Sequence, residues 1–534
     1  MNRIVWKPRR ALVALIAVTA LLRIAWAAAL GPGNDEAYYV QYARHADFSY
    51  HDHPPMVAWM VGTGLRVFSG LPIVLATRLP FVLLFAGSTW LMYRLAAQFF
   101  GPWAGVLAAF ILNVAGYFPL AAGAFALPDG PLVFFWLATF CALRWAIASG
   151  GRAWPWVVVG LAWGGALLSK YHAAFLPVGF FLFLVLEPHG RVWLRRPGPY
   201  LALALGLLIA SPVLGWNAAH GWDSFAFHGA RAVGSSSLPR IDRLLPVLGG
   251  QVAYAFPWVW CVLAMAAVGV LRDRNRATGE RFFVCAAVVP LAAFCLVGLW
   301  RPVLPHWSLI GLVPLMPIAA ARMGAWARVR PTRFRVRVVG WCGALLAVAV
   351  VIAVQVNHGV FQRKGPIPLA GMAPAADPSL DLYGWGQVAA EIEKRGLLSA
   401  NTHLFTSKWY HSSQLGFQLP GGLAVHCYSG RAPLGFAHWG QAEEWVGRDG
   451  ILAVVNHSST EPAAFERWFE RIEPLGEVMV ERAGVRAKVV RLYRCVRQTA
   501  PFPLVGGGKA ADAPLDPARV ALRREPSESA ALRR

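Results

Sequence analysis

The chain contains many apolar runs, and each run is about as long as a lipid bilayer is thick. A spanning helix needs about 20 apolar residues, and eleven runs approach that length before residue 357. They are 11–30, 76–98, 103–121, 130–148, 154–169, 172–187, 199–216, 246–271, 282–299, 304–321 and 338–356. Because a backbone in lipid must satisfy its polar groups internally, the runs predict a polytopic α-helical membrane protein with about 11 transmembrane helices.

The charge content agrees with a membrane protein. Charged residues make up only 14% of the chain, whereas soluble proteins usually carry about 25%. The net charge is nevertheless +23, which on a soluble domain would suggest nucleic-acid binding. Here most basic residues are arginines in short loops between apolar runs, as the positive-inside rule requires. We therefore expect membrane lipids as partners and no nucleic acid.

Every second loop is rich in arginine, which predicts the orientation. The arginine-rich loops are 144–153, 188–198, 272–281 and 322–337. Cytoplasmic loops carry such an excess, so the N-terminus is predicted to be cytoplasmic, and an odd number of spans places the C-terminal region outside. Seven of the ten carboxylates in residues 1–330 fall at that outer face, which indicates a polar site there.

The first outer loop, residues 31–75, is too long for a plain connector. It is predicted to contain two short helices. One begins at Asn34-Asp35 and runs through Tyr42, and the other follows His53-Pro54-Pro55 and runs to about Phe68.

From residue 358 the apolar runs shorten and charged residues return. Residues 358–500 are predicted to form a small α/β domain outside the membrane, and the composition of residues 501–534 predicts a disordered tail. The predicted helices are 387–396 and 462–473, and the predicted strands are 402–406, 423–428, 451–456 and 487–494. Cys427 and Cys495 lie in this domain, where an oxidising compartment would permit a disulfide; the sequence leaves that pairing open.

Acidic residues occur at three points of the outer face. Asp35 and Glu36 follow the first span, and Asp129 begins the fourth. Each could simply cap a helix, or act as a general base if a substrate hydroxyl reaches it. Asp52 and His53 precede a proline pair. An aspartate between two histidines is also a weak metal signal, but a third spaced ligand is not evident.

Cations lie at the same face. Lys170 is the only lysine between Lys7 and Lys364. A lysine at a membrane end could merely snorkel to lipid headgroups, yet arginine fills that role elsewhere in the chain. We therefore interpret Lys170 as a point charge for a phosphate. Further candidates for contact with the same anion are Arg231, Arg301 and His306, although the neighbouring tryptophans equally favour interfacial anchoring.

The order of these motifs resembles that of the GT-C glycosyltransferases, in the group of the protein O-mannosyltransferases and aminoarabinose lipid A transferases. The matching motifs are Asp35-Glu36, His53-Pro54-Pro55, Pro128-Asp129-Gly130 and Ser169-Lys170. The resemblance covers roughly residues 1–330, and each motif is short, so the specificity lies in the ordered set. Residues 381–385 and 410–415 also look like the extramembrane domain of bacterial members.

The resemblance implies an integral membrane glycosyltransferase of the bacterial inner membrane. It implies transfer of a hexosyl or pentosyl group from a polyprenyl-phosphate donor to an envelope lipid, polysaccharide or protein, with inversion at the anomeric carbon. It implies no cofactor and no metal. Residues 1–357 would form the transmembrane catalytic domain, and the active site and residues 358–500 would be periplasmic.

The resemblance also suggests roles for single residues. Asp35 matches the first-loop acidic residue that acts as base or orients the acceptor, with Glu36 beside it. Asp129 matches the second acidic position, and Lys170 matches the lysine that holds the donor phosphate. Arg301 and His306 are weaker matches for phosphate contacts.

Three further residues match positions that support the acceptor or the site. Tyr39 falls where such proteins often carry a tyrosine, and Asp52 with His53 matches an acidic-basic pair before two prolines. The aminoarabinose enzymes have lysine where His53 stands here. This departure leaves open another sugar or another acceptor.

Two other functions compete with catalysis. A transporter or flippase of a lipid-linked anionic substrate should show mid-membrane charges and broken helices in related halves, and the sequence shows neither an internal repeat nor a mid-span charge. A ligand sensor would give Asp35, Asp129 and Lys170 no shared purpose. A single cavity containing all three would favour the enzyme.

Overall fold

The computed structural model describes two parts of the chain, a helical bundle and a smaller α/β domain. The described residues are 7–232, 239–273, 278–362, 371–399, 401–421, 423–430, 432–440, 442–455 and 462–503. The predicted tail therefore lies outside them from residue 504 onward.

The bundle is built from sixteen α-helices in the described residues. They are α1 (Pro8–Ala29), α2 (Asn34–Arg44), α3 (Met56–Val67), α4 (Ile73–Phe100), α5 (Pro102–Val114), α6 (Asp129–Ala148), α7 (Ala153–Ser169), α8 (Phe175–Leu186), α9 (Pro197–Ile209), α10 (Ser211–Ala219), α11 (Asp223–Ala232), α12 (Leu244–Ala255), α13 (Pro257–Arg272), α14 (Thr278–Trp300), α15 (Met316–Val329) and α16 (Pro331–His358).

Six helices of the described residues are long and apolar enough to cross a membrane, or eight if two bent pairs each count as one span. The six are α1, α4, α6, α14, α16 and the continuous segment Trp307–Val329, whose first nine residues are a 3₁₀-helix. Shorter apolar helices such as α5 and α7 accompany them. The fold is thus a polytopic helical membrane protein, and the number of eleven spans stays a prediction.

Three predicted spans are interrupted. The run 246–271 forms α12 and α13, which meet at an angle of 108° because Phe256 adopts a positive φ of 68° just before Pro257. The run 199–216 forms α9 and α10, bent by 45°. The run 103–121 ends its α-helix at Val114 and continues as a short π-helix. These spans were predicted from their apolar composition, which does not indicate where a helix breaks.

A charge inside a span was overlooked in the sequence. Arg23 lies well within α1 and is 4% exposed. Its guanidinium donates to the side chain of Asn113 and lies 4.4 Å from the centre of the Phe85 ring. Asn113 in turn donates to Thr89 at 3.0 Å. The charge is therefore paired with polar groups between helices, as buried ionisable residues in membranes usually are.

The outer loop after α1 forms α2 and α3, at the two places predicted. Helix α2 begins after Gly33, whose amide donates to the Glu36 carboxylate at 2.9 Å. This satisfies one of the free amides of the first turn. Pro55 directly precedes α3, where its fixed φ and its missing amide are tolerated.

The smaller domain contains a five-stranded mixed sheet in the order β2-β1-β3-β5-β4. Its strands are β1 (Thr402–Thr406), β2 (Val425–Cys427), β3 (Asp449–Val455), β4 (Phe469–Arg482) and β5 (Val485–Gln498), and its α-helices are α17 (Trp385–Lys394) and α18 (Trp409–Gln418). Strand β1 pairs in parallel with β2 and β3, whereas β5 pairs antiparallel with β3 and β4.

The helix predicted at 462–473 is wrong. A 3₁₀-helix covers Pro462–Trp468, and the chain then enters β4. The turn between β4 and β5 contains Ala483 and Gly484, both with positive φ, which is the geometry of a tight hairpin. Pairing in this hairpin places in a strand residues whose local pattern predicts a helix.

The two cysteines of this domain are buried and unbonded. Cys427 lies in β2 and Cys495 in β5, and β1 and β3 separate these strands in the sheet. Neighbouring strands lie about 4.8 Å apart, so the cysteines are roughly three spacings apart. A disulfide needs Cα atoms within about 7 Å, and the sheet therefore excludes that pair.

The domain docks on the outer loop through α18 and α2. The Gln414 side-chain amide donates to Asn34 at 3.0 Å and to the Pro32 carbonyl oxygen at 2.9 Å. Tyr38 and Tyr42 of α2 are buried together with Phe436 and Trp439 of the domain. One mixed core thus connects the membrane part to the domain.

Candidate active site

A cavity of about 650 Å³ lies where the outer loop, the helix ends and the smaller domain meet. Trp409, Ala432 and Leu434 form its wall on the domain side. Seven residues that the sequence singled out line this cavity: Asp35, Tyr39, Asp52, His53, Asp129, Lys170 and His306. The three groups expected to share a cavity, Asp35, Asp129 and Lys170, do so.

Asp35 projects into the cavity from the first turn of α2. The residue is exposed, and its side chain lines the cavity. Desolvation in the cavity and the negative charge of Asp52 together raise its pKa to about 6, while Lys170 opposes the shift. A carboxylate with a pKa near neutrality is suited to general-base work, since it is ionised at pH 7 and still accepts a proton readily.

Asp129 and Lys170 form an ion pair inside the cavity wall. The Lys170 ammonium donates to the Asp129 carboxylate at 2.8 Å, and the two residues are 5% and 9% exposed, respectively. Asp129 is the first residue of α6, and Lys170 follows α7 in an extended conformation. The packing of α6 against α7 therefore brings together two side chains 41 positions apart.

Asp52 is held by two tyrosines of α2. The Tyr38 hydroxyl donates to its carboxylate at 3.0 Å, and the Tyr42 hydroxyl donates to the same oxygen. The amide of Gly435, in the smaller domain, donates to the Tyr38 hydroxyl oxygen at 2.6 Å. A chain of hydrogen bonds thus connects a cavity carboxylate to the domain.

His53 and Tyr39 are neutral groups in the cavity wall. Burial lowers the pKa of His53 to about 4, with Asp52 opposing the shift. Burial, reinforced by Asp35 and Asp52, raises the pKa of Tyr39 well above its usual value. The rings of these two residues meet edge to face at 5.6 Å, and both can serve as uncharged hydrogen-bonding groups.

Glu36 does not share the cavity, and its predicted catalytic place is corrected. It is not among the described residues that line the cavity. Arg78 donates to both Glu36 carboxylate oxygens, at 2.8 and 2.6 Å. The amides of Gly33 and Ala126 donate to them at 2.9 Å. A carboxylate that already accepts four hydrogen bonds fixes the structure instead of accepting a substrate proton.

The other residues predicted to contact the phosphate differ in where they lie. His306 lines the cavity and stacks on Tyr117 with a ring separation of 5.6 Å. Arg301 follows α14, is half-buried and is not among the described residues that line the cavity. Arg231 lies in α11, and its side chain falls outside what the structure describes.

The sequence assigned no role to several further cavity residues. They are aromatic or imidazole side chains, among them Tyr117, Tyr171, His172, His228 and Trp307. Tyr171 and His172 adjoin Lys170, so their proximity to that lysine was the available signal. His228 lies 3.0 Å from the Asp52 carbonyl oxygen, and no local pattern indicates this contact between residues 176 positions apart.

A separate cluster could hold a metal ion. His51 and His438 lie 2.8 and 3.0 Å from the same oxygen of Asp223, and their three ligand atoms lie within 4.8 Å of one another. Two histidines and a carboxylate suit Zn²⁺. The pair His51 and His53 that flanks Asp52 is thus divided, since His51 faces Asp223 and His53 faces the cavity. The expectation of no metal stays a prediction.

Comparisons with known proteins agree with this architecture. The family model of dolichyl-phosphate-mannose-protein mannosyltransferases matches residues 52–216. The lipid A galacturonosyltransferase RgtD of Rhizobium johnstonii is 28% identical over 245 residues, which are 45% of this chain and 50% of that protein. The chain thus matches about half the length of this curated relative.

Solved structures extend the similarity to nearly the whole chain. The crystal structure of ArnT from Cupriavidus metallidurans bound to undecaprenyl phosphate is 15% identical, with a TM-score of 0.57. The alignment covers 90% of this chain and 97% of that one. The apo structure of the same protein aligns over the same shares with 16% identity and a TM-score of 0.54. The chain therefore has the GT-C fold of ArnT, and its residues 52–216 are similar to the dolichyl-phosphate-mannose-protein mannosyltransferases.

Proposed function

We propose that the protein is an integral membrane glycosyltransferase that moves a sugar from a polyprenyl-phosphate donor to an envelope acceptor, with inversion, on the periplasmic side. One observation carries the proposal: Asp35, Asp129 and Lys170 line the same cavity. These groups supply a base for an attacking hydroxyl and a cation for a departing phosphate.

Lys170 holds the donor phosphate. Its ammonium is a compact charge with three donors, and Asp129 accepts from it at 2.8 Å, which leaves donors for a phosphate oxygen. His306 lines the same cavity and contributes a second phosphate contact. The cation stabilises the negative charge that grows on the phosphate as the sugar leaves, and such electrostatic stabilisation is often the largest catalytic contribution.

Asp35 acts as the base for the acceptor. The acceptor oxygen attacks the anomeric carbon and forms the new C–O bond, while the bond between that carbon and the phosphate oxygen breaks. The electron pair of the broken bond stays on the phosphate, and the acceptor proton passes to Asp35. Attack from the side opposite the phosphate inverts the anomeric centre.

Part of the cavity wall comes from the smaller domain. Trp409, Ala432 and Leu434 lie in segments of that domain, so an acceptor entering from outside passes them. The domain therefore shapes access of the acceptor. An aromatic side chain such as Trp409 suits the apolar face of a sugar ring.

The relatives support the kinds of substrate. ArnT was crystallised with undecaprenyl phosphate, a polyprenyl phosphate that corresponds to a donor after its sugar has left. RgtD is named for lipid A and galacturonic acid, which makes an envelope glycolipid the first acceptor to test. Polysaccharide and protein acceptors come next, together with both hexosyl and pentosyl donors.

The test uses the purified full chain in lipid nanodiscs. Labelled polyprenyl-phosphate sugars are offered with lipid, polysaccharide and protein fractions of a bacterial envelope, and mass spectrometry follows sugar transfer. The wild type should transfer one sugar, and Asp35→Asn should lower the rate by about 10²–10⁴-fold. Asp242→Asn is the matched control, because Asp242 is an exposed residue paired with Arg240.

Two results would overturn the proposal. If Asp35→Asn transferred sugar as fast as Asp242→Asn, Asp35 would not be the base. If the wild type moved intact donor across a sealed vesicle membrane without transferring its sugar, the protein would be a flippase.

A further inference from the structure

A second groove lies between α4, α6 and α7, far from the reaction cavity. Its volume is about 710 Å³. Helix α6 begins at Asp129 in the cavity and reaches the groove at Arg144, 15 residues later. At about 1.5 Å per residue this is roughly 22 Å along the helix. The groove therefore opens near the other end of the bundle.

Two arginines line this groove without an acidic partner. Arg94 projects from α4 and Arg144 from α6. The Arg94 guanidinium lies 5.5 Å from the Trp90 ring centre, and that of Arg144 lies 5.5 Å from the Phe99 ring centre. Neither arginine forms an ion pair with any residue that the structure describes. Two uncompensated positive charges thus face one groove.

The remainder of the groove is apolar or amphipathic. Leu91 and Ala138 contribute to its floor. Trp90 and Trp145 stand at its edge, and each is 47% exposed. Tryptophans concentrate where a bilayer meets water. The groove thus combines cationic and apolar lining with exposed tryptophans of the kind found where lipid headgroups meet acyl chains.

We propose that this groove binds the headgroup of an anionic phospholipid. The two guanidiniums hold the phosphate diester by charge-assisted hydrogen bonds, which arginine forms in a bidentate manner. The acyl chains lie along apolar side chains between α4 and α6, where Leu83 is exposed and Phe134 is half-buried. In the orientation that the arginine-rich loops predict, this lipid belongs to the cytoplasmic leaflet, where anionic headgroups attract basic residues.

Such a lipid would bridge α4 and α6, of which α6 also lines the reaction cavity. Helix α6 presents Asp129 to the cavity, and α4 presents Arg78 to Glu36. Bound lipid would therefore raise the thermal stability of the membrane part. The groove and the cavity share α6 but no lining residue, so binding at one site is testable without the other.

The experiment measures lipid binding by native mass spectrometry and melting temperature in detergent. The probes are phosphatidylglycerol, the zwitterionic phosphatidylcholine with matched acyl chains, and inorganic phosphate. Wild-type protein should bind phosphatidylglycerol selectively and melt at a higher temperature with it. Each cationic residue near an anionic lipid surface contributes about fivefold in affinity, so Arg94→Gln with Arg144→Gln should weaken binding by roughly thirtyfold.

The matched control is Arg333→Gln with Arg335→Gln. Both residues are exposed and lie in the first turns of α16. Their substitution removes the same amount of charge outside the groove. A second double variant, Arg94→Lys with Arg144→Lys, keeps the charge and should retain most of the binding.

Three outcomes would overturn the proposal. One is equal binding of phosphatidylcholine and phosphatidylglycerol. Another is an equal loss of binding in the control and groove variants. The last is displacement of the lipid by millimolar inorganic phosphate, which would make the groove a site for free anions. If the glutamine variant failed to fold, weak binding by the folded lysine variant would count against the proposal equally.

Discussion

Breaking the buried ion pair of Glu36 and Arg78 by changing one partner should destabilise the protein but leave its catalytic activity intact. The pair is almost fully buried, with exposed fractions of 2% and 1%. Arg78 donates to both Glu36 oxygens and also to three backbone carbonyl oxygens, those of Ala27, Leu30 and Gly31. This guanidinium therefore connects the end of α1 to the first turn of α2.

The size of the effect follows from the count of donors. In Glu36→Gln, one carboxylate oxygen becomes an amide nitrogen, so the two donors that faced it lose their acceptor while the Arg78 charge stays buried. Breaking one side of a buried ion pair costs about 3–5 kcal/mol. The double variant Glu36→Gln with Arg78→Met should cost much less than the sum of the singles, because the two residues interact directly.

The assay compares variants of two adjacent residues of α2, Glu36 and Asp35, in their melting temperature and their turnover. The melting temperature in detergent should drop by roughly 3–5 °C for Glu36→Gln, because an unfolding entropy of about 2.1 cal/mol/K per residue acts over 534 residues. Turnover per folded molecule at a permissive temperature should stay within a few-fold of the wild type. Asp35→Asn should show the opposite pattern, with near-normal melting and strongly reduced turnover. A Glu36→Gln protein that melts like the wild type yet is inactive would refute the structural role given to Glu36.

The remaining predictions concern the cavity. Because desolvation and the charge of Asp52 raise the pKa of Asp35 to about 6, the rate of a base-catalysed transfer should fall about tenfold per pH unit below that value; a flat profile from pH 7 to 4.5 would contradict this. The same raised pKa means that the folded state holds a proton that the unfolded state releases from about pH 4. The free energy of unfolding of the wild type, relative to that of Asp35→Asn, should therefore fall as the pH rises from about 4 to 6. Melting curves of both proteins across this range would show the fall. Lys170→Met should reduce transfer by about 10²–10³-fold and Lys170→Arg by less, measured as initial rates at saturating donor; equal losses would argue against a phosphate-binding charge. Tyr38→Phe removes the hydroxyl that donates to Asp52 and accepts from the Gly435 amide. The KM for the acceptor substrate should therefore rise more than the KM for the sugar donor. Equal changes in the two KM values would contradict a role of the smaller domain in acceptor access.

Local sequence was a good guide to which residues meet in the cavity. Asp129 and Lys170 each end or begin an apolar run, and the alternation of loops assigned both to one membrane face. Short polar motifs at helix ends are expected near a membrane face, since charges inside lipid are costly. The cavity gathers them because α6 and α7 pack side by side.

Sequence was a poor guide where distant parts of the chain decide the structure. The break at Phe256 lies inside an unbroken apolar run, so composition alone predicted a straight span. The predicted helix 462–473 wrongly includes the first five residues of β4. Pairing with β5 is what makes them a strand, and hairpin pairing is a tertiary property. The contact of His228 with Asp52 depends on loop packing across 176 positions, which no single segment encodes.

The adjacent carboxylates of α2 differ in role because of helix geometry. Successive residues of an α-helix point about 100° apart, whereas residues four apart share a face. Asp35 and Tyr39 are four apart, and both face the cavity. Tyr38 and Tyr42 are also four apart, and both donate to Asp52. Glu36 faces a third direction and meets Arg78. One 11-residue helix thus joins the base, the domain contact and the bundle, so a change on any face of α2 should reach the other two through the position of the helix itself.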